Sequence, residues 1–115
     1  GEDERLHRLL VEIDQEVVKV YRLDEQLDSG DLKGSTLLKI DVQGYEDRVI
    51  RGGLRTISET SFVLVEVSYG ELYEGQASAL HVAESLRSLG FHQRGSWGQL
   101  RVDGNVLQED LLWAR

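Results

Sequence analysis

The sequence contains no cysteine, no methionine and no proline. Without cysteine, the chain can have no disulfide, no thiolate metal site and no thiol nucleophile. Without methionine, residue 1 need not be the natural start of the protein. The sequence also has no apolar run long enough to cross a bilayer, and its charged beginning, GEDERLHRLL, is unlike a signal peptide. We therefore expect a cytoplasmic protein with no membrane partner.

Basic residues are also scarce. The chain has 13 Lys and Arg against 21 Asp and Glu, which gives a formal net charge of −8. Because nucleic-acid binding needs clustered basic side chains, we expect no nucleic-acid partner. The 3 histidines are scattered without the spacing of a zinc site. The 115 residues, 40% of them hydrophobic and 30% charged, are typical of one globular domain.

Hydrophobic periodicity predicts helices that alternate with strands. Helical spacing occurs in residues 2–13, 45–51, 54–58 and 78–89, and Gly90 follows the last of these at the C′ position. Runs of β-branched, aromatic and aliphatic residues predict strands at 17–23, 37–42 and 61–68. The string DEQLDSGDLKG, residues 24–34, predicts a loop with one helical turn.

A hairpin is predicted to close the fold. Its strands begin at Phe91 and in VLQEDLLWAR, and the turn between them lies in RVDGN, with Asp-Gly or Gly-Asn at its centre. We expect Trp97 and Trp113 to lie in the core of this hairpin. The whole pattern predicts an α/β fold whose sheet has a parallel core and an antiparallel C-terminal hairpin.

The stretch KIDVQGYED contains the first candidate site. Asp41 ends a predicted strand, where a carboxylate can accept a proton from a substrate hydroxyl, hold a metal or bind a cofactor amine. It can equally accept backbone N–H bonds in a strand-to-helix turn, and spacing alone favours this structural role. Gly44 permits a positive φ or the close approach of a ligand. Glu46 suits the first turn of a helix, and it can also face the same pocket mouth as Asp41.

Glu66 interrupts the apolar strand FVLVEVS. An unpaired buried carboxylate costs several kcal/mol, so this side chain must be paired or face a cleft. The two interpretations that remain open are an ion pair with Lys39 on the neighbouring strand and a position at the substrate side of the sheet.

Several strings, taken in order, resemble the carboxyl half of FkbM-type methyltransferases. They are LLKIDVQGYEDRVIRGG, VLVEVSYGELYEGQ, LRSLGF and DGNVLQEDLLWAR, and YRLDEQL before them is similar to the end of the family's preceding strand. The core K-I-D-V-Q/E-G-x-E is the family's most recognisable string. The resemblance covers residues 17–115 and leaves 1–16 outside it as an N-terminal helix or linker.

The resemblance implies a Rossmann-like class I methyltransferase sheet, S-adenosylmethionine as cofactor and a hydroxyl of a sugar or small metabolite as acceptor. In that sheet, strands 17–23, 37–42 and 62–68 would be the third, fourth and fifth, and the hairpin the sixth and seventh. The residues it assigns are catalytic Asp41 and Glu66; cofactor-binding Asp24, Asp41 and Gly44; and acceptor-binding Glu46, Tyr69 and Tyr73. No metal ligand is assigned, although a divalent metal is compatible with these carboxylates.

One part of the family pattern is missing from this sequence. The family's glycine-rich cofactor loop, of the kind D-x-G-A-N-x-G, does not occur in it. The residues before Val17 are too few for the preceding strands and helices, which need about 30 residues per βαβ unit. We therefore expect a fragment of a longer enzyme. The alternative is a non-catalytic α/β binding or assembly module, which could self-associate through an open sheet edge.

Overall fold

The computed structural model describes residues 17–70 and 75–115. Four helices are found among them: α1 (Leu23–Gln26), α2 (Glu46–Gly52), α3 (Leu54–Ser58) and α4 (Ala79–Ser88). The strands are β1 (Leu37–Ile40), β2 (Phe62–Ser68), β3 (His92–Val102) and β4 (Asn105–Ala114). The helix predicted for 2–13 lies outside the described residues.

The strands of the described residues form one mixed sheet in the order β1-β2-β4-β3. β1 and β2 are parallel, and β4 is antiparallel to both of its neighbours. The predicted α/β fold with parallel strands and an antiparallel C-terminal hairpin is therefore confirmed. The parallel pair is smaller than expected, because β1 pairs only with β2 in the described part of the chain and lies at the edge of the sheet.

The core lies on one face of this sheet. Along β2, burial alternates with a period of two residues, as expected for a strand with one covered face. Val63, Val65 and Val67 are buried, whereas Phe62 is 39% exposed on the other face. Helices α2, α3 and α4 cover the buried face with Ile50, Ile57, Val82 and Leu86. The strands on either side of β2 add Ile40, Leu111 and Trp113 to this core.

Helix α4 begins and ends where its sequence predicts. The Ser78 side chain caps its amino end by accepting a hydrogen bond from the backbone N–H of His81 at 3.1 Å. At the other end Gly90 has a φ of +90°. The N–H groups of Gly90 and Phe91 then donate to the carbonyls of Arg87 and Leu86, which is the hydrogen-bond pattern of a Schellman motif.

The prediction of a strand at 17–23 is wrong. Residues 17–22 have no regular structure, and Leu23 opens the short helix α1, which is the helical turn predicted for the following loop. Val17 is 102% exposed and Val20 is 89% exposed. β-Branched residues favour a strand only when a neighbouring strand pairs with them, and none does so among the described residues.

The terminal hairpin forms as predicted, but only one of its two tryptophans lies in the core. Its turn contains Asp103 and Gly104, both with positive φ as a two-residue Asp-Gly turn requires. Trp113 is fully buried, but Trp97 is 53% exposed, so its predicted core position is wrong. Trp97 pairs with Asp110, which lies on the sheet face that the helices do not cover.

Candidate active site at the carboxyl edge of the sheet

The turn that follows β1 has an unusual backbone. Gln43 and Gly44 both have positive φ, at 47° and 101°. A Cβ on Gly44 would lie 3.2 Å from the Cγ of Gln76, and the carbonyl of Gly44 accepts a hydrogen bond from the N–H of Ala77 at 2.9 Å. A glycine is therefore required by the turn and by its contact with residues 76–77. The cofactor role of Gly44 stays a prediction.

Glu46 connects the first turn of α2 to this turn. Its side chain is only 5% exposed, and its Oε1 accepts a hydrogen bond from the N–H of Gly44 at 3.2 Å. A carboxylate at this position also interacts favourably with the positive end of the helix. Glu46 thus has a defined structural function, while its predicted contact with the acceptor is untested.

Asp41 and Glu66 are neighbours at the ends of the two parallel strands. The ladder between these strands ends at the pair Ile40 and Val65, so each of the two acids follows the last paired residue of its strand. Asp41 is exposed, and within residues 17–70 and 75–115 its carboxylate accepts no hydrogen bond. Glu66 is half-buried and accepts a hydrogen bond from the side-chain amide of Gln108.

The surroundings of Glu66 disfavour its charged form. Burial raises the pKa of Glu66, and the nearby charges of Asp41, Asp110 and Glu46 raise it further, against the hydrogen bond from Gln108, which lowers it. The structure therefore brings together Asp41, Glu46 and Glu66, which the sequence predicted as site residues. It adds Asp110, which sequence reasoning missed because only the pairing of β4 with β2 places it there.

The predicted ion pair between Glu66 and Lys39 does not form. Lys39 is exposed and stands beside Leu64 in the parallel register, two residues before Glu66. Among the described residues, no ion pair joins these two side chains. The side chain of Gln108, and not Lys39, is the hydrogen-bond partner of Glu66, and the position of Glu66 at the substrate side of the sheet stays a prediction.

Asp24 lies away from these acids and caps helix α3. Its carboxylate accepts hydrogen bonds from the N–H of Arg55 at 3.1 Å, and from the N–H and hydroxyl of Thr56 at 2.8 and 2.7 Å. Burial acts to raise the pKa of Asp24, but the bonds from Thr56 and Arg55 and the charge of Arg55 outweigh it, so that the pKa is lowered. The cofactor role predicted for Asp24 is not tested by these contacts.

Tyr69 follows β2, and hydrogen bonds fix both its backbone and its side chain. Its N–H donates to the carbonyl of Leu107 at 2.8 Å, and its hydroxyl donates to Oε1 of Glu109 at 3.2 Å. Burial raises the pKa of the Tyr69 hydroxyl, as do the charge and the hydrogen bond of Glu109. Sequence reasoning missed Glu109, because a single acid in a strand does not reveal its cross-strand partner. Tyr73 lies outside the described residues.

The described residues contain no group of three or more His, Cys, Asp or Glu side chains placed to hold a metal ion. None of their helices is long and apolar enough to span a membrane. The cytoplasmic location expected from the sequence stays a prediction.

Comparison with known proteins decides the family. The family model described as the methyltransferase FkbM domain matches residues 2–92 of the chain. The chain belongs to the FkbM methyltransferase family. This result confirms the family suggested by the strings around Asp41 and Glu66.

Two curated proteins similar to this FkbM-family chain are themselves named as methyltransferases. The chain is 37% identical over 90 residues to the 2-O-methyltransferase NoeI of Sinorhizobium fredii, a match that covers 78% of the chain and 36% of NoeI. It is 32% identical over 53 residues to the hexuronic acid methyltransferase AglP of Haloferax volcanii, which covers 46% of the chain and 22% of AglP. The chain thus spans about a third or less of these relatives. No solved structure matches it.

Proposed function

We propose that this chain is part of an S-adenosylmethionine-dependent O-methyltransferase that acts on a hydroxyl of a sugar or other small hydroxylated metabolite. The observation that carries the proposal is the convergence of Asp41 and Glu66 at the carboxyl ends of two parallel strands, in a chain of a methyltransferase family. Ligands of open α/β sheets bind at this edge. The names of NoeI and AglP support a carbohydrate acceptor.

The fold supports the same proposal. The parallel pair β1-β2 and the antiparallel hairpin β3-β4 are compatible with the fourth to seventh strands of a Rossmann-like class I methyltransferase sheet. On that correspondence, residues 17–115 form the carboxyl half of the domain. The glycine-rich cofactor loop would come from another part of a longer polypeptide, since this sequence has no such string.

The described residues fit part of a cofactor site. S-adenosylmethionine supplies an electrophilic methyl group on a positively charged sulfonium. The carboxylates around Glu66 give this edge the negative charge that a cation prefers, and the carboxylate of Asp41 is exposed. Asp41 and the backbone at Gly44 are therefore the groups that would hold the cofactor from this half of the domain.

The acids also suit the acceptor. Asp41 would accept the proton of the acceptor hydroxyl, and Glu66 would accept a hydrogen bond from a second hydroxyl or share the base role. Methyl transfer is a direct displacement, so orientation of the acceptor oxygen accounts for most of its catalysis. No covalent nucleophile is needed for a displacement of this kind.

The experiment is a methyl-transfer assay with radiolabelled S-adenosylmethionine and a panel of methyl hexosides and hexuronides. It is done with the chain alone and with the longer polypeptide that the proposal requires. We expect label in sugar only with the longer protein, and a loss of at least a hundredfold in Asp41→Asn. Glu84→Gln, an exposed acid on α4, is the matched control. Full turnover by Asp41→Asn would refute the assigned role.

A non-catalytic binding or assembly module is the competing proposal. The feature that favours it is β1, a strand whose second edge is unpaired among the described residues. Such a module would self-associate and would not bind S-adenosylhomocysteine. Light scattering and calorimetric titration of the 115-residue chain test this: a monomer that binds the ligand with micromolar affinity would contradict it.

A further inference from the structure

A cleft opens between the carboxyl end of β2 and the amino end of α4. It has a volume of about 460 Å³ and is lined by residues that include Ser68, Tyr69, Gly70, Gln76 and Ser78. Small-molecule sites are typically about 300–1,000 Å³, so the cleft is large enough for one sugar ring. It begins two residues after Glu66, and its wall at Gln76 packs against the Gly44 turn.

Tyr69 supplies a fixed aromatic wall to this cleft. The residue is 52% exposed and lines the cleft. The backbone bond to Leu107 and the hydroxyl bond to Glu109 fix the two ends of the residue. A ring held in this way loses little conformational entropy when a ligand stacks on it.

Glu109 is a buried carboxylate among apolar neighbours, so its burial costs free energy. It is 8% exposed on the core face, where its cross-strand partner Val67 and its neighbour along the face, Leu111, are apolar. Its two oxygens accept hydrogen bonds from the hydroxyl of Tyr69 and, at 3.2 Å, from the side-chain amide of Gln99. Both donors are neutral, and within the described part of the chain no cation pairs with it. An apolar residue would pack here without the cost of a buried charge.

We infer that Tyr69 is the stacking platform for the pyranose ring of the acceptor, and that Glu109 is a positioning residue that sets the orientation of this platform. The inference rests on the proposed function, because it takes the acceptor to be a carbohydrate. The apolar C–H face of a sugar ring packs on the tyrosine ring, and the hydroxyls of Ser68 and Ser78 on the same cleft offer hydrogen bonds to the sugar.

The test is an NMR-detected titration of the 115-residue chain with two probes, methyl β-D-glucopyranoside and methyl β-D-glucuronide. We expect shifts of the backbone amides of residues 68–70 and 76–80 with at least one probe. Tyr69→Leu should raise the dissociation constant about tenfold, whereas Tyr69→Trp should raise it only about threefold, because an aromatic face remains and only the hydroxyl bond to Glu109 is lost. Tyr21→Leu removes an exposed tyrosine outside the cleft and is the matched control.

The role of Glu109 is tested through the hydrogen bond that it shares with Tyr69. Glu109→Leu and Tyr69→Phe should each weaken binding by about threefold, and the double variant should be no weaker than either alone. Tyr69→Phe keeps the packing of the ring, so it gives an answer even if Glu109→Leu does not fold. Additive losses in the double variant would overturn the positioning role.

The outcomes separate this inference from the proposed function. Equal affinities of the wild-type chain and Tyr69→Leu, or no binding of either probe, would overturn the stacking platform even if the longer protein methylates sugars. Binding that depends on Tyr69 would support the platform even if no methyl transfer is detected. In an active longer protein, Tyr69→Leu should raise KM for the sugar more than it lowers kcat.

Discussion

Glu66 of β2 and Asp110 of β4 are direct partners in the antiparallel ladder. Both lie on the sheet face that helices α2–α4 leave uncovered, and the charge of Asp110 raises the pKa of Glu66. Like charges at directly opposed positions of a sheet destabilise it. A protein keeps such a pair where the charges serve a ligand, and this position at the carboxyl edge agrees with the proposed site.

Asp110→Asn should stabilise the chain. The substitution removes one of the two facing charges and keeps the shape of the side chain, so we expect a gain of roughly 0.2–1 kcal/mol at neutral pH. Urea unfolding followed by circular dichroism measures it. Glu84→Gln removes the same charge from an exposed site on α4 and controls for the reduced net charge. An equal gain in both variants would mean that net charge, and not the cross-strand pair, is responsible.

Glu66→Gln should change the pH dependence of stability. Because the pKa of Glu66 is raised above its ordinary value of 4.5, the folded chain binds more protons than the unfolded chain between these two values. The contribution of Glu66 to the free energy of unfolding therefore falls as the pH rises from 4.5 to the higher folded pKa, and it is constant above that pKa. In Glu66→Gln this contribution should vanish. Parallel unfolding curves of the two proteins from pH 4 to 8 would contradict the assignment.

Asp24→Ala should destabilise the chain by about 1–2 kcal/mol, because α3 loses the cap formed on Arg55 and Thr56. The pKa of Asp24 is lowered, so its contribution is complete above the ordinary value of 3.8 and is lost as the pH falls through the lower folded value. Urea unfolding at pH 7 and at pH 2 should show a smaller difference at pH 2. Glu25→Ala, an exposed acid on the same turn, is the control.

Gly44→Ala should destabilise the chain by more than the left-handed backbone alone costs, which is roughly 1–2 kcal/mol. The added Cβ would also press on Gln76. Gly34→Ala separates the two effects, because Gly34 has a φ of +69° but nothing within 4 Å of its Cβ position. Thermal unfolding of both variants gives the comparison. A smaller loss for Gly44→Ala than for Gly34→Ala would show that the contact with Gln76 is unimportant.

Local patterns predicted most of the regular structure. The alternation in FVLVEVS, the cap at Ser78 and the Asp-Gly turn each specify their conformation through a few neighbouring residues. The strand predicted at 17–23 does not form, because β-branched residues favour a strand only beside a pairing partner and no described strand pairs with them. Trp97 failed for a related reason, since periodicity in a hairpin does not say which face a helix will cover.

The candidate site was predictable where it is continuous in sequence. Asp41, Gly44 and Glu46 lie within one strand-turn-helix unit, and the structure keeps them together. Asp110 and Glu109 were not predictable, because they reach the site through the register of β4 against β2. That register is set by packing across the whole sheet. Long-range pairing of this kind leaves little trace in a single sequence.

The position of β4 has a consequence for how the protein is made. β4 follows the other three strands of the described residues in sequence, yet it lies between β2 and β3 and carries the buried residues Leu111 and Trp113. A ribosome-bound chain that lacks residues 105–114 would therefore have the pair β1-β2, an unpaired β3 and an exposed core. We therefore expect this part of the chain to fold only after translation has passed β4. Termination a few codons before Trp113 should leave a product for proteases and chaperones, and not a folded domain of lower stability.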